Sequence, residues 1–190
     1  MKCRNHVYGY GIFLCDDIDN LFVRCYNAFE GANKPCLAYI VMMTNLSKYK
    51  ENNSIEAKKA TGGLPRSIWE TYSAFANTTG GVILLGVAER KDKTLYAVDL
   101  PDPQRLVAQF LDGLTDCNKV SVNLLSACDV RIEQVDGKEI VVISVPQAAK
   151  SQRPVYVGSD PFTGTYYRKG EADLRCTKQT VERMLKEAQL

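Results

Sequence analysis

Cationic side chains stand in three short stretches of this chain: Lys58 and Lys59 beside Glu56; Arg90, Lys91 and Lys93; and Arg168 and Lys169 with Arg175 nearby. Lysine and arginine are what phosphate contacts require, and such contacts supply most nonspecific affinity for nucleic acid. Tyr166 and Tyr167 adjoin Arg168 and offer a stacking surface if one of them faces outward. Gly80-Gly81 precedes an apolar run and can bring backbone amides close to a phosphate. Each feature has a second reading. Exposed lysines are ordinarily just solvated, one tyrosine can belong to the core, and the glycine pair is fully accounted for as a turn.

Other chemistries lack their parts. The one histidine, His6, stands near the start of the chain, so no imidazole base is at hand for a serine or cysteine nucleophile elsewhere, nor a His/Cys set for zinc. The glycines make neither a P-loop nor a dinucleotide fingerprint after a strand. Cys117, Cys128 and Cys176 read as small hydrophobes.

The elements that must position these residues follow from periodicity. Pro65 ends what precedes it, Ser67 and Glu70 stand at capping-box spacing, and Ile68, Trp69, Tyr72, Phe75 and Ala76 recur on one helical face. Asn77 and Gly80-Gly81 tolerate positive φ, so the helix is expected to reverse there into Val82–Val87, a strand apolar on both faces and therefore central in a sheet. A short strand over 54–59 comes before the helix, and Leu95–Val98 is the hairpin partner after it. Pro103 opens a second helix to Leu114, with Leu106, Val107, Phe110, Leu111 and Leu114 apolar. Asp136-Gly137 joins strands 130–135 and 139–145. Short strands are expected at 155–157 and 165–168, with Pro154 marking an edge position. A closing helix over 178–188 turns Val181, Met184 and Leu185 inward. The pattern is α+β: a single mixed-sheet domain, an amphipathic helix packed on a central apolar strand, and a C-terminal helix.

The chain has 190 residues, 45% hydrophobic and 24% charged, which suits one domain with an appendage. A net charge of +2 is too small to attract a polyanion by bulk field, so any basic surface is local. Seven cysteines with no Cys-x-x-Cys pair point to a reducing cytoplasm. No apolar run approaches the roughly 20 residues that span a bilayer, and no signal peptide is legible. Residues 1–42 hold four of the cysteines and no sustained period; they read as a poorly ordered extension or an over-extended, non-native reading frame, with a small accessory hairpin as the alternative, and the domain proper as 43–190.

Glu51-Asn-Asn-Ser-Ile-Glu-Ala-Lys58, Ala74-Phe-Ala-Asn-Thr-Thr-Gly-Gly81, Leu84-Leu-Gly-Val-Ala-Glu89 and Thr165-Tyr-Tyr-Arg-Lys-Gly170, in this order, resemble the Schlafen AlbA_2 domain. The resemblance covers about Leu46 to Leu190. It implies a mixed α/β module that binds nucleic acid, DNA or RNA, in transcriptional regulators; an ATP-binding label rests on the resemblance alone. Bacterial members commonly continue into further domains, which are expected to lie beyond this chain. Vertebrate relatives use the domain as a metal-dependent RNA nuclease, in which two glutamates five apart join an acid after the Gly-Gly strand. The matching positions are Glu51, Glu56 and Glu89, which the resemblance makes the candidate catalytic set and the ligands of Mg²⁺ or Mn²⁺. Two departures stand out: the family's phenylalanine is Ala57, and Glu89 replaces an aspartate.

Residues five apart point to opposite faces of a regular strand, so Glu51 must precede the strand to converge with Glu56. Otherwise Glu51 is a solvated residue, Glu56 pairs with Lys58 or Arg168, and Glu89 lies on an exposed hairpin. The reading is a cytoplasmic nucleic-acid-binding module contacting phosphate through Lys58, Lys59, Arg90, Lys91, Arg168 and Lys169, with Gly80 and Gly81 as candidate phosphate-binding amides. A metal-dependent RNA endonuclease is the competing class and a protein-interaction module the third. A homodimer is compatible with either binding role, and no residue requires it.

Overall fold

The computed structural model describes Val23–Cys25, Ala38–Ile40, Leu46 and residues 50–189. The extension expected over 1–42 and the domain start expected at Met43 lie outside the described residues, apart from one antiparallel pair, β1 (Val23–Cys25) with β2 (Ala38–Ile40).

The heart of the fold is a βαβ unit. β3 (Ile55–Lys58) runs parallel to β4 (Gly81–Leu85), and α1 (Ile68–Asn77) is the crossover that a parallel pair requires. β4 pairs antiparallel with β8 (Lys138–Val145), which pairs with β7 (Val130–Val135) through the expected Asp136-Gly137 turn, giving the order β3-β4-β8-β7.

Both faces of this sheet are covered. On one, Ile83, Leu85, Val141 and Ile143 pack against Ile68, Tyr72 and Phe75 of α1 and Leu106, Phe110 and Leu114 of α2 (Pro103–Thr115). On the other, Val82, Leu84, Ile140 and Val142 meet Leu46, Val87, Leu95 and Ala97. Tyr72 shows how firmly α1 is held: its hydroxyl donates to the Val122 carbonyl at 3.1 Å and accepts from Leu124 N at 2.8 Å, and burial pushes its pKa up to about 12. Leu111, one of the apolar residues of α2, is exposed at 37%.

The apolar run expected as one strand breaks at Gly86. Its φ of +82° turns the chain out of the main sheet, and β5 (Val87–Glu89) pairs instead with β6 (Leu95–Ala97) as a separate hairpin. The end of α1 also differs from expectation. Asn77 stays helical; Gly80 alone takes positive φ, +77°, and its N–H closes the helix on the Phe75 carbonyl at 2.9 Å. The capping box does not form, because Ser67 accepts from Lys58 and Glu70 accepts from Tyr166, so both partners are drawn into tertiary bonds.

The C-terminal part comprises α3 (Pro161–Gly164), the hairpin of β9 (Tyr166–Lys169) and β10 (Ala172–Arg175), and α4 (Lys178–Glu187). β10 and α3 have no counterpart in the sequence reading. Residues 155–157 form only isolated bridges, Val120 with Val157 and Tyr156 with Thr165. In α4 Val181 is buried, while Met184 and Leu185 are half-buried.

Cys117 and Cys176 are free, and burial pushes the Cys176 thiol up to about 11. Cys128 is disulfide-bonded, which corrects its reading as a small hydrophobe; pairing depends on which segments meet in space, and cysteine spacing is silent about that. Among the described residues no helix is long and apolar enough to cross a membrane.

A Cβ on Gly80 would stand 2.8 Å from the Val145 carbonyl oxygen, a backbone atom that cannot swing aside. Gly80→Ala is therefore expected to cost about 1–3 kcal/mol. Gly62→Ala, where an added Cβ meets nothing within 4 Å, serves as the near-neutral control in the same urea titration.

Candidate nucleic-acid interface

The site is organised around a buried arginine. Arg168 on β9 has a side chain only 1% exposed; its guanidinium reaches Glu56 Oε2 and Asp173 Oδ1, each at 2.8 Å. It also donates to the backbone carbonyls of Asn52 at 3.0 Å and Ile55 at 3.3 Å, and lies 5.1 Å over the Phe75 ring. Asp173 accepts in turn from the Thr71 hydroxyl at 2.6 Å. One side chain thus clamps the 52–56 segment, the β9–β10 hairpin and α1 together. Burial pulls its pKa down, yet Asp173 and Glu56 outweigh burial and the net direction is up.

α1 holds the same hairpin by a second bolt. The buried Asn77 amide donates to the carbonyls of Val155 at 2.7 Å and Tyr166 at 3.0 Å, and its Oδ1 accepts from Val155 N at 2.9 Å.

Glu51, Glu56 and Glu89 lie in one electrostatic neighbourhood. The Glu51 carboxyl is raised above its ordinary value by burial first and then by Glu56, with Glu89 and Glu171 adding to it; a hydrogen bond from Ala57 N to Glu51 Oε1, 3.1 Å, works the other way. Glu51 precedes β3, which allows it to turn back onto the strand it introduces. Most of these oxygens already have partners. Glu56 holds Lys58 at 2.9 Å besides Arg168, and Glu89 holds Lys93 at 3.1 Å. Glu89 Oε1 is buried with no hydrogen-bond partner. Among the described residues, no three His, Cys, Asp or Glu side chains are grouped so as to hold a metal ion.

The cations divide into two sets. Lys58 and Arg168 are committed inward, Lys58 to Glu56 and the Ser67 hydroxyl. Lys59, Lys91 and Lys169 are exposed and make no ion pair among the described residues, and Arg90 is exposed with its guanidinium 4.5 Å over the Tyr96 ring. Their turns are fastened to each other: Lys93 bridges Glu89 and, at 3.2 Å, Glu171, and the Asn53 side chain accepts from Gly170 N. Arg90 and Lys91 on one turn and Lys169 on the other therefore border the carboxylates. Tyr166 is half-buried, with its hydroxyl on Glu70 at 3.1 Å and Arg175 over its ring at 5.8 Å; Tyr167 is half-buried opposite Leu174. Gly80 and Gly81 have backbone tasks of their own: Gly80 N–H closes α1, and Gly81 pairs with Val145 in the sheet.

Asp173, Glu171 and Asn77 are absent from the sequence reading of the site. A signal existed for Asp173: a tight turn at Gly170-Glu171 places residue 173 directly across a hairpin from Arg168.

The family model described as "Schlafen, AlbA_2" matches residues 49–177. Among solved structures, the chain is similar to the N-terminal domain of an ATP-dependent DNA helicase RecG-related protein from Nitrosomonas europaea, at 33% identity and TM-score 0.51, over 70% of this chain and 88% of that one. It matches the DIP2311 protein from Corynebacterium diphtheriae at 19% identity and TM-score 0.42, over 65% of this chain and 21% of that one. No curated protein matches the chain.

Arg168→Ala strips Glu56 Oε2 and Asp173 Oδ1 of the cation they share and is expected to cost about 3–5 kcal/mol in a denaturant titration, with Arg168→Lys recovering only part because an ammonium lacks the fork. Glu51 makes the opposite contribution. Its folded pKa lies above the unfolded one, so its penalty is absent at pH well below its ordinary 4.5 and is fully present once pH has risen through the folded value. Glu51→Gln is expected to stabilise the fold near neutral pH, by less than about 1 kcal/mol at this half-exposed position, and to lose that advantage in acid; unfolding titrations across pH read the difference.

Proposed function

Because the chain belongs to the Schlafen AlbA_2 family, we propose that it is a nucleic-acid-binding module whose interface is the ring of turns around Glu51, Glu56 and Glu89. The observation that carries this reading is the division of the cations. Lys58 and Arg168 balance Glu56 from within and the exposed Lys93 balances Glu89 from the solvent side, which leaves Lys59, Arg90, Lys91 and Lys169 facing solvent on segments clipped in place. A fixed border of unpaired cations suits a phosphate backbone, because the partner replaces only loosely held counterions. The description of the Nitrosomonas europaea relative as related to a DNA helicase supports the same class of partner.

A second reading, a metal-dependent RNA endonuclease, is favoured by Glu89 Oε1, which is buried and unpartnered in the neighbourhood of a Glu51 carboxyl raised by burial first and then by Glu56. As arranged, the donors do not fit a divalent ion, because both Glu56 oxygens and Glu89 Oε2 are already held by Lys58, Arg168 and Lys93.

Both readings meet in one assay: binding and cleavage of a labelled structured RNA, with DNA as comparator, in Mn²⁺. The Lys59→Ala/Lys91→Ala/Lys169→Ala variant is expected to bind about tenfold more weakly at low salt, its salt slope on a duplex falling by about 0.9 for each phosphate that the variant no longer neutralises. Cleavage that disappears in Glu51→Gln/Glu89→Gln while binding persists would establish the nuclease instead. Neither binding nor cleavage would turn the search to protein partners.

A further inference from the structure

Behind β3 the chain enters a groove that neither the carboxylates nor the rim cations occupy. It has a volume of about 790 Å³ and lies between the 60–66 loop and α2. That volume falls within the range of about 300–1,000 Å³ typical of ligand sites. Leu64, Trp69 and Leu106 supply its apolar lining, and Trp69 is fixed there by stacking on Phe110, with ring centroids 5.3 Å apart. Arg66, Arg105 and Lys119 line it as well; all three are exposed and none makes an ion pair among the described residues.

Two carboxylates, Asp102 and Asp112, also line the groove, but Asp102 accepts from Arg105 N at 2.9 Å as the cap of α2. Gly62 leaves part of the loop without side chains: a Cβ added there meets nothing within 4 Å. The groove therefore combines three cations with two carboxylates, an immobilised aromatic ring and open backbone. That set suits a chain of phosphates and rings better than a purely apolar or purely anionic ligand.

Its position supplies the occupant. Lys58 and Lys59 run directly into Ala60–Leu64, and Lys58 Nζ reaches Ser67, the residue after Arg66, at 3.2 Å. The groove is thus the continuation of the rim along the chain. We infer that it is a second phosphate-binding site that takes the backbone of a single-stranded nucleic acid whose neighbouring segment lies on the rim, with Arg66, Arg105 and Lys119 contacting successive phosphates.

The inference rests on the nucleic-acid reading above, and its test separates the two. Binding of labelled single-stranded oligonucleotides of increasing length, from about 4 to about 20 nucleotides, is measured at two salt concentrations for wild type, for Arg66→Ala/Arg105→Ala/Lys119→Ala and for the rim variant. In wild type, affinity rises with length. The groove variant is expected to bind short strands like wild type, to lose about tenfold on long ones, and to lower the long-strand salt slope by about 2. A single Arg105→Glu charge reversal is expected to act in the same direction, and unchanged melting temperatures show that these exposed substitutions leave the fold intact.

Long-strand binding unchanged in the groove variant, while the rim variant is weakened, would overturn the inference and leave the rim reading standing. Loss of binding to a free nucleoside triphosphate without loss of long-strand affinity would overturn it in favour of a small-ligand site. No binding of single strands by wild type at any length would overturn the inference, and the structured-RNA and duplex assay above then decides whether the rim reading stands.

Discussion

The burial of one guanidinium governs this molecule. Removing a full charge from water is expensive, and Arg168 is stable where it sits only because Glu56, Asp173, two backbone carbonyls and the Phe75 ring surround it in a fixed geometry. The surrounding groups come from three places in the sequence, 52–56, Phe75 and Asp173. Their order is therefore set by a single side chain, and the turns that carry the candidate interface inherit that order. A lysine would give a point charge with no planar fork, unable to satisfy both carboxylates and both carbonyls at once.

The clamp also explains why a chain of modest net charge can present a localised positive border. Glu56 is already neutralised from inside by Lys58 and Arg168, and Glu89 from the solvent side by Lys93. What solvent meets is the remainder. At a Debye length of about 8 Å, the rim cations act on a partner mainly at contact distance, so the local arrangement matters more than the total of +2.

Much of the fold was legible because local rules happened to agree with tertiary demand. The α1 stripe, the Asp136-Gly137 hairpin, Pro103 at the head of α2 and the approximate span of α4 each rest on interactions within a few residues. The failures occur where distant segments compete for the same group. Ser67 and Glu70 had the right spacing to cap α1 and were claimed by Lys58 and Tyr166. Asn77 looked like a helix terminator and is a bolt to Val155 and Tyr166, residues about eighty positions on. The same limit applies to the site. Glu51, Glu56 and Glu89 could be named from a family pattern, whereas Lys93 as the bridge from Glu89 to Glu171 depends on two hairpins meeting edge to edge, which no periodicity reports.

The two outer strands of the main sheet are finished differently. β3 has Arg168 bonded to its Ile55 carbonyl, so part of that margin is already spoken for. β7 carries Arg131 and Glu133 two residues apart, joined at 3.1 Å, on its half-buried side chains. An incoming strand that tried to extend the sheet at β7 would have to strip water from that pair and pack against charge. Charge so placed disfavours strand-on-strand extension at that margin, a guard against fibrillar self-association.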